Sequence, residues 1–141
     1  MATNWLSNRA RKQALYAHLN GATIKVLLLT SAYTPNKDHV FASELSGELT
    51  CTGYARKTLA SVVISQDDTL DVGKLAATAP VWATLGPASG GPVTAYAVFI
   101  KWDTDDAHSE IISVKDCVLQ TNSGQFTLNP NATYAAYLWV S

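Results

Sequence analysis

The sequence predicts a mainly β fold: a β-sandwich, jelly-roll-like or related, of about eight strands with an N-terminal helix, or else a small closed barrel. Three observations carry this. Eight or nine short runs rich in β-branched and aromatic residues follow one another at regular spacing, with Gly, Pro, Asn and Asp turn signals between them. The first run, Thr23–Thr30, is apolar on both alternating faces, with Ile24, Val26 and Leu28 on one side and Leu27 and Leu29 on the other. Such a strand is central and covered on both sides. Residues 4–19, ahead of it, carry helical spacing. At 141 residues the chain suits a single domain with a real core, divided into a helical arm over 1–20 and a sandwich over 21–141.

The helix over 4–19 can be capped by Asn4 or Ser7 and ends at Asn20-Gly21. Leu6, Ala10, Ala14 and Ala17 form one stripe, widened by Leu15 and Leu19. Arg9, Arg11 and Lys12 sit near the first turns, where the helix dipole disfavours cations. They are the candidate partner contact, a basic cluster for an acidic surface. The central strand stops at Ser31–Pro35, because Pro35 offers no ladder donor and keeps Thr34 out of helical geometry. Asn36–His39 reads as a polar loop and Val40–Leu45 as a short helical turn. So long a connection is a further candidate for partner contact.

Glu48–Cys51 leads into a turn at Thr52-Gly53-Tyr54. Ala55–Ile64 reads as a strand whose Val62-Val63-Ile64 end is expected to be its most buried part. Gln66–Asp68 turns into a returning strand at Thr69–Val72, Lys74–Ala79 reads as irregular, and Pro80–Leu85 as a strand opened by its proline. Gly86–Pro92 is a loop. Val93–Trp102 is the second strong strand, with Tyr96, Val98, Ile100 and Trp102 as a bulky face. Its other face carries Ala95 and Ala97, where the alanine stripe of the helix is expected to pack. After an acidic turn at Asp103–Asp106, strands follow at Ile111–Val114, extended by Asp116–Leu119, at Gln125–Leu128 and at Tyr134–Val140, with turns at Thr121–Gly124 and Asn129–Asn131.

Apolar residues make up 48% of the chain and charged residues 15%, against about 25% charged in ordinary soluble domains. The net charge of −1 gives little repulsion against self-association and no support to nucleic-acid binding. Arg9, Arg11 and Lys12 give residues 1–20 a charge of +3 with no acid, so the remainder carries −1 − 3 = −4. Met1–Asn20 lacks the apolar stretch of a secretory signal, and no apolar run approaches the roughly 20 residues that span a bilayer. The expectation is a protein made in the cytoplasm, with no membrane partner and with Cys51 and Cys117 as reduced, buried thiols.

Catalytic and cofactor patterns are missing from the sequence. His18, His39 and His108 fall on a helix, a loop and a turn, without metal-ligand spacing to one another or to a cysteine. Asp103–Asp106 resembles the start of a calcium loop but lacks its glycine and distal glutamate. Gly86–Pro92 lacks the Gly-Lys-Ser/Thr ending of a phosphate loop, and no Gly-x-Ser-x-Gly elbow occurs. Aromatics interleave with few cations, unlike an RNA-stacking sheet. No catalytic residue, cofactor or metal site is expected, and no direct contact with nucleic acid.

One resemblance does emerge. Ile24-Lys25-Val26-Leu27-Leu28-Leu29-Thr30-Ser31-Ala32-Tyr33-Thr34-Pro35-Asn36-Lys37-Asp38-His39 resembles a phrase found in small structural proteins of tailed bacteriophages. Glu44-Leu45-Ser46-Gly47 and Thr52-Gly53-Tyr54-Ala55 follow in the same order as in that family. So do Val81-Trp82-Ala83, Ala95-Tyr96-Ala97-Val98-Phe99-Ile100 and Gly124-Gln125-Phe126-Thr127-Leu128. The resemblance covers roughly residues 20 to 140. It implies a virion component without enzymatic activity. The leading expectation is a capsid decoration (cement) protein that binds the major capsid protein and itself, with a trimer favoured, and reinforces the shell. The alternatives are a tail, neck or head-fibre-base protein, or a carbohydrate-binding module using Trp82, Trp102, Tyr137 and Trp139 as a stacking platform.

Overall fold

A computed structural model describes residues 5–86, 93–120 and 124–141. The expected loop at 86–92, the turn at 121–124 and the cap at Asn4 lie wholly or partly outside the described residues. The fold class is as the sequence indicates: mainly β, with one N-terminal helix and nine described strands paired antiparallel. The chain is organised in two compact units, one made of Met1–Ala22, Ala60–Ala79 and Asn129–Ser141, the other of Thr23–Leu59 and Pro80–Leu128.

In the second unit, β1 (Ile24–Thr30) lies inside a four-stranded sheet in the order β2-β1-β6-β7, with β2 at Lys57–Thr58, β6 at Val93–Lys101 and β7 at Glu110–Gln120. Val26, Leu27, Leu28 and Leu29 are fully buried, each contributing roughly 1.5–3 kcal/mol. One face of the sheet presents Leu27, Leu29, Val98 and Ile100, and Tyr33 and Ala42 pack onto it. The long 31–45 connection thus covers this face, and a short 3₁₀ turn at Ala42–Glu44 seats Ala42 there. The ammonium of Lys25, at the entrance of β1, lies 3.8 Å from the centre of the Trp102 ring, a cation–π contact. A separate two-stranded ladder joins β5 (Val81–Leu85) to β8 (Gly124–Thr127). There the buried Trp82 stacks on Phe126 and donates its indole N–H to the Ala55 carbonyl at 2.7 Å.

In the first unit, β3 (Ala60–Asp67), β4 (Val72–Thr78) and β9 (Leu138–Val140) form a sheet in that order, and α1 (Asn8–Leu19) packs mainly on β4. Four sequence expectations change here. β3 runs on to Asp67, whose carboxylate accepts the N–H groups of Thr69 and Leu70, so the turn falls at 68–71. The stretch after it, expected to be irregular, is β4, with Val72 and Leu75 buried. Val63 is 58% exposed, because a register shift between Ala60 and Val63, with Ser61 at φ 54°, changes which face the strand buries. The last strand shrinks to Leu138–Val140, since Asn131 folds residues 131–136 into a turn by accepting the N–H groups of Thr133 and Tyr134.

The buried face of α1 also differs from the alanine stripe. Leu15 and Leu19 are its buried residues, while Ala14 and Ala17 are exposed. Its docking partner is β4 rather than the alanine face of 93–101. Gly73 explains the choice: a Cβ there would collide with the helix backbone at Arg11 and Lys12. The missing side chain lets helix and strand approach backbone to backbone. Gly73→Ala is therefore expected to lower stability by roughly 1–3 kcal/mol, read as a lower urea midpoint.

Candidate interaction surface

The basic cluster of the helix is divided by its fold. Ser7 caps α1, its hydroxyl accepting the Ala10 N–H at 3.1 Å. Arg9 is exposed, whereas Arg11 and Lys12 are half-buried on the docked side. The Arg11 guanidinium donates to Asn8 Oδ1 at 2.8 Å and to the Asp71 carbonyl at 2.6 Å, and Asn8 in turn donates to the carboxylates of Asp68 and Asp71. Arg11 thus fastens the helix to the β3–β4 turn, and only part of the expected cluster faces outward. Just ahead of the cap, Trp5 is 74% and Leu6 52% exposed. Beside them lies a shallow hollow of about 360 Å³ bounded by Ser7, Asn8, Arg11 and Asp71. Sequence reasoning treated Leu6 as core and passed over Trp5. An apolar pair ahead of the Ser7 cap, outside the helical turns that dock, was the available signal.

A charged network forms in the second unit. Arg56 donates through Nε and Nη2 to the two oxygens of Glu48, both at 2.8 Å, and through Nη1 and Nη2 to those of Asp106 at 2.6 and 2.9 Å. This is bidentate pairing on both sides of one guanidinium. The Tyr54 hydroxyl donates to Glu48 at 2.6 Å and accepts the main-chain N–H of Leu28 at 3.1 Å. Burial and the neighbouring Glu48 carboxylate push the Tyr54 phenol well above its usual range. The Arg56 hydrogen bonds hold the Asp106 carboxyl below the ordinary carboxylate range. Gly53 precedes Tyr54 at φ +84°, and a Cβ there would strike the Thr84 carbonyl oxygen. The Thr-Gly-Tyr turn is therefore built to deliver one hydroxyl to the edge of β1.

A second surface lies along β7. Val40, Phe41 and Val114 are 49%, 40% and 37% exposed. The Glu44 carboxylate holds the first two in place by accepting the N–H groups of Val40 and Phe41, which lowers its pKa. Next to them a cleft of about 370 Å³ runs between Pro35–His39 and β7, with Tyr96 and Val114 among its lining. His39 Nδ1 lies 3.1 Å from the Tyr33 hydroxyl.

Among the described residues, no three His, Cys, Asp or Glu side chains converge as metal ligands. The acidic turn is organised by buried Ser109, whose hydroxyl accepts the Asp103 N–H at 2.9 Å and donates to the Asp105 carbonyl at 2.6 Å. Cys51 and Cys117 are free thiols, half-buried rather than fully buried. The four aromatics of the stacking expectation are used differently. Trp82 and Tyr137 are buried, Lys25 occupies a face of Trp102, and Trp139 stacks on Tyr134 at 4.5 Å. No described helix is long and apolar enough to cross a membrane.

Tyr54→Phe strands the Leu28 N–H in a buried site and is expected to cost about 1–3 kcal/mol, measured by chemical denaturation. Asp106 contributes stability as a carboxylate. That contribution is complete above the ordinary carboxylate pKa near 4 and is lost as pH falls through the depressed folded-state value. Asp106→Asn should therefore flatten the acid side of the stability profile, followed as thermal midpoints from neutral pH down to about pH 2.

No family model, no curated protein and no solved structure matches the chain.

Proposed function

We propose that this chain is a structural protein of a tailed-bacteriophage virion, a capsid decoration (cement) protein that binds the outside of the assembled shell. The observation that carries the reading is an ordered series of phrases that resemble those of small phage structural proteins, from Ile24–His39 through Thr52–Ala55 and Ala95–Ile100 to Gly124–Leu128. In this chain those phrases coincide with its framework: β1, the turn that presents Tyr54, β6 and β8. The surface supports the same reading. A chain with only 15% charged residues exposes Trp5, Leu6, Val40, Phe41 and Val63, apolar area suited to burial against other virion subunits. A protein that binds only the assembled shell stabilises that shell by mass action.

Its role is scaffolding, with no catalysis. Arg9, exposed in the first turn of the helix, is the cation we assign to shell contact. Arg11 and Lys12 serve the helix–sheet joint. The deciding measurement is copy number in purified particles, by quantitative mass spectrometry against the major shell protein. Several hundred copies are expected. About a dozen would move the protein to the neck or tail, and absence from the particle would remove the virion reading altogether. With decoration established, Arg9→Glu should reduce occupancy without changing the melting temperature of the free protein. Unchanged occupancy would remove Arg9 from the contact.

A further inference from the structure

Among the described strands β7 lies at the edge of its sheet, and described residues cover its outer edge only in part. Val40–Ala42 lies along its start: the Ala42 N–H donates to the Ser109 carbonyl at 2.8 Å, the Ile111 N–H to the Val40 carbonyl at 2.7 Å, and Phe41 bridges to Glu110. Beyond Ile111, no described strand pairs with this edge. An uncovered edge offers main-chain donors and acceptors to another strand, and its occupant is an extended polypeptide. Exposed Val114 and the cleft beside it line the open stretch, and exposed Val40 and Phe41 sit at the point where the covering ends.

We propose that a second copy of this chain pairs antiparallel with the outer edge of β7, across a twofold axis through Val114. The register follows from the sequence of the edge. β7 is regular from Ser113 to Asp116, paired in order with Phe99, Val98, Ala97 and Tyr96, and shifts register on either side. A twofold axis normal to the sheet keeps every residue on its own face, so the axis passes through one residue of each copy. An axis at Lys115 or Asp116 sets like charges directly opposite one another, which is unfavourable. An axis at Ser113 lays the partner's Lys115 and Asp116 against Ile111 and Glu110, where Phe41 and Val40 already pair. Val114 remains. It meets its own copy, Ser113 faces Lys115 of the partner subunit, and Ile112 faces Asp116 of the partner subunit.

The ladder then runs from Ile112 to Asp116 on each copy. It ends where Val40 begins to cover Ile111. Thr94 pairs with Leu119 and Tyr96 with Asp116, so β7 carries an extra residue just past Asp116. A bulge of this kind bends the strand and turns it aside at that point. The interface is isologous and closes as a dimer. Five paired residues alone fall short of the roughly 1,000 Å² of a stable interface, so the proposed contact also takes in exposed Val40 and Phe41 and the cleft wall at Pro35–His39. The net charge of −1 opposes the pairing little. This contact goes beyond the decoration reading and stands apart from it, since it produces dimers where the phage resemblance implies trimers.

Sedimentation velocity of the full chain over a range of concentrations tests the proposal. A concentration-dependent dimer is expected, and Val114→Lys should give a monomer with an unchanged circular-dichroism spectrum. Geometry supplies an independent arm in a Cys51→Ser, Cys117→Ser background. Val114→Cys should cross-link to its own copy under mild oxidation, because directly opposite Cβ atoms lie about 4.5–5.5 Å apart. Lys115→Cys, facing Ser113 of the partner subunit, should not. A wild-type monomer or trimer, a dimer that survives Val114→Lys, or equal cross-linking of the two cysteine variants would each overturn the proposal.

Discussion

Burying β1 on both faces imposes the constraint that organises the second unit. A strand sealed from water must have all its main-chain polar groups paired, and each orphan costs about as much as a hydrophobic contact contributes. β6 pairs with β1 along its whole length on one side. The other side is covered piecemeal, and the pieces come from what look like loops. Leu59 donates to the Ile24 carbonyl, β2 pairs at Lys25 and Val26, Leu49 donates to the Leu28 carbonyl, and Gly47 accepts from Thr30. The gap left at the Leu28 N–H is filled by a side chain, the Tyr54 hydroxyl.

That single hydroxyl draws other residues into place. Tyr54 can reach β1 only if the chain turns tightly at Gly53 and passes against the Thr84 carbonyl. Its own proton goes to Glu48, and Glu48 is held by Arg56, which also grips Asp106 at the far end of the β6–β7 turn. The guanidinium is partly buried, with a quarter of its side chain exposed, so this network is less screened than a surface pair, though far from a dry one. Contact with a partner then belongs to the surface that the frame leaves over.

The first unit solves a different problem with the same means. A twelve-residue helix is marginal alone, and α1 is stabilised by docking, with Leu15 and Leu19 against the sheet and Gly73 allowing backbone contact. Arg11 then serves as a strap to Asp71. Cations placed where the helix dipole disfavours them are offset by the acidic β3–β4 turn beside them. Large apolar side chains stay outward beside the exposed Arg9: Trp5 and Leu6 before the cap, and Val63 on the sheet.

The sequence by itself determined the mainly β class, the N-terminal helix with its stop at Asn20-Gly21, the central position of β1 and the bulky face of β6; between the two caps it offered, Asn4 and Ser7, the structure shows Ser7. Each of these rests on local periodicity or on the geometry of one residue type. The tertiary structure alone decided the rest. The exposure of Val63 depends on a bulge that shifts the phase of a period-two pattern. The extent of β4 depends on where Asp67 closes the turn. The docked face of α1 depends on a glycine some sixty residues away, which no helical periodicity can report. The division of Arg9, Arg11 and Lys12 into one outward cation and two joint residues follows from that docking. Adjacent charges in sequence share one label, and their partners are assigned only when distant segments meet.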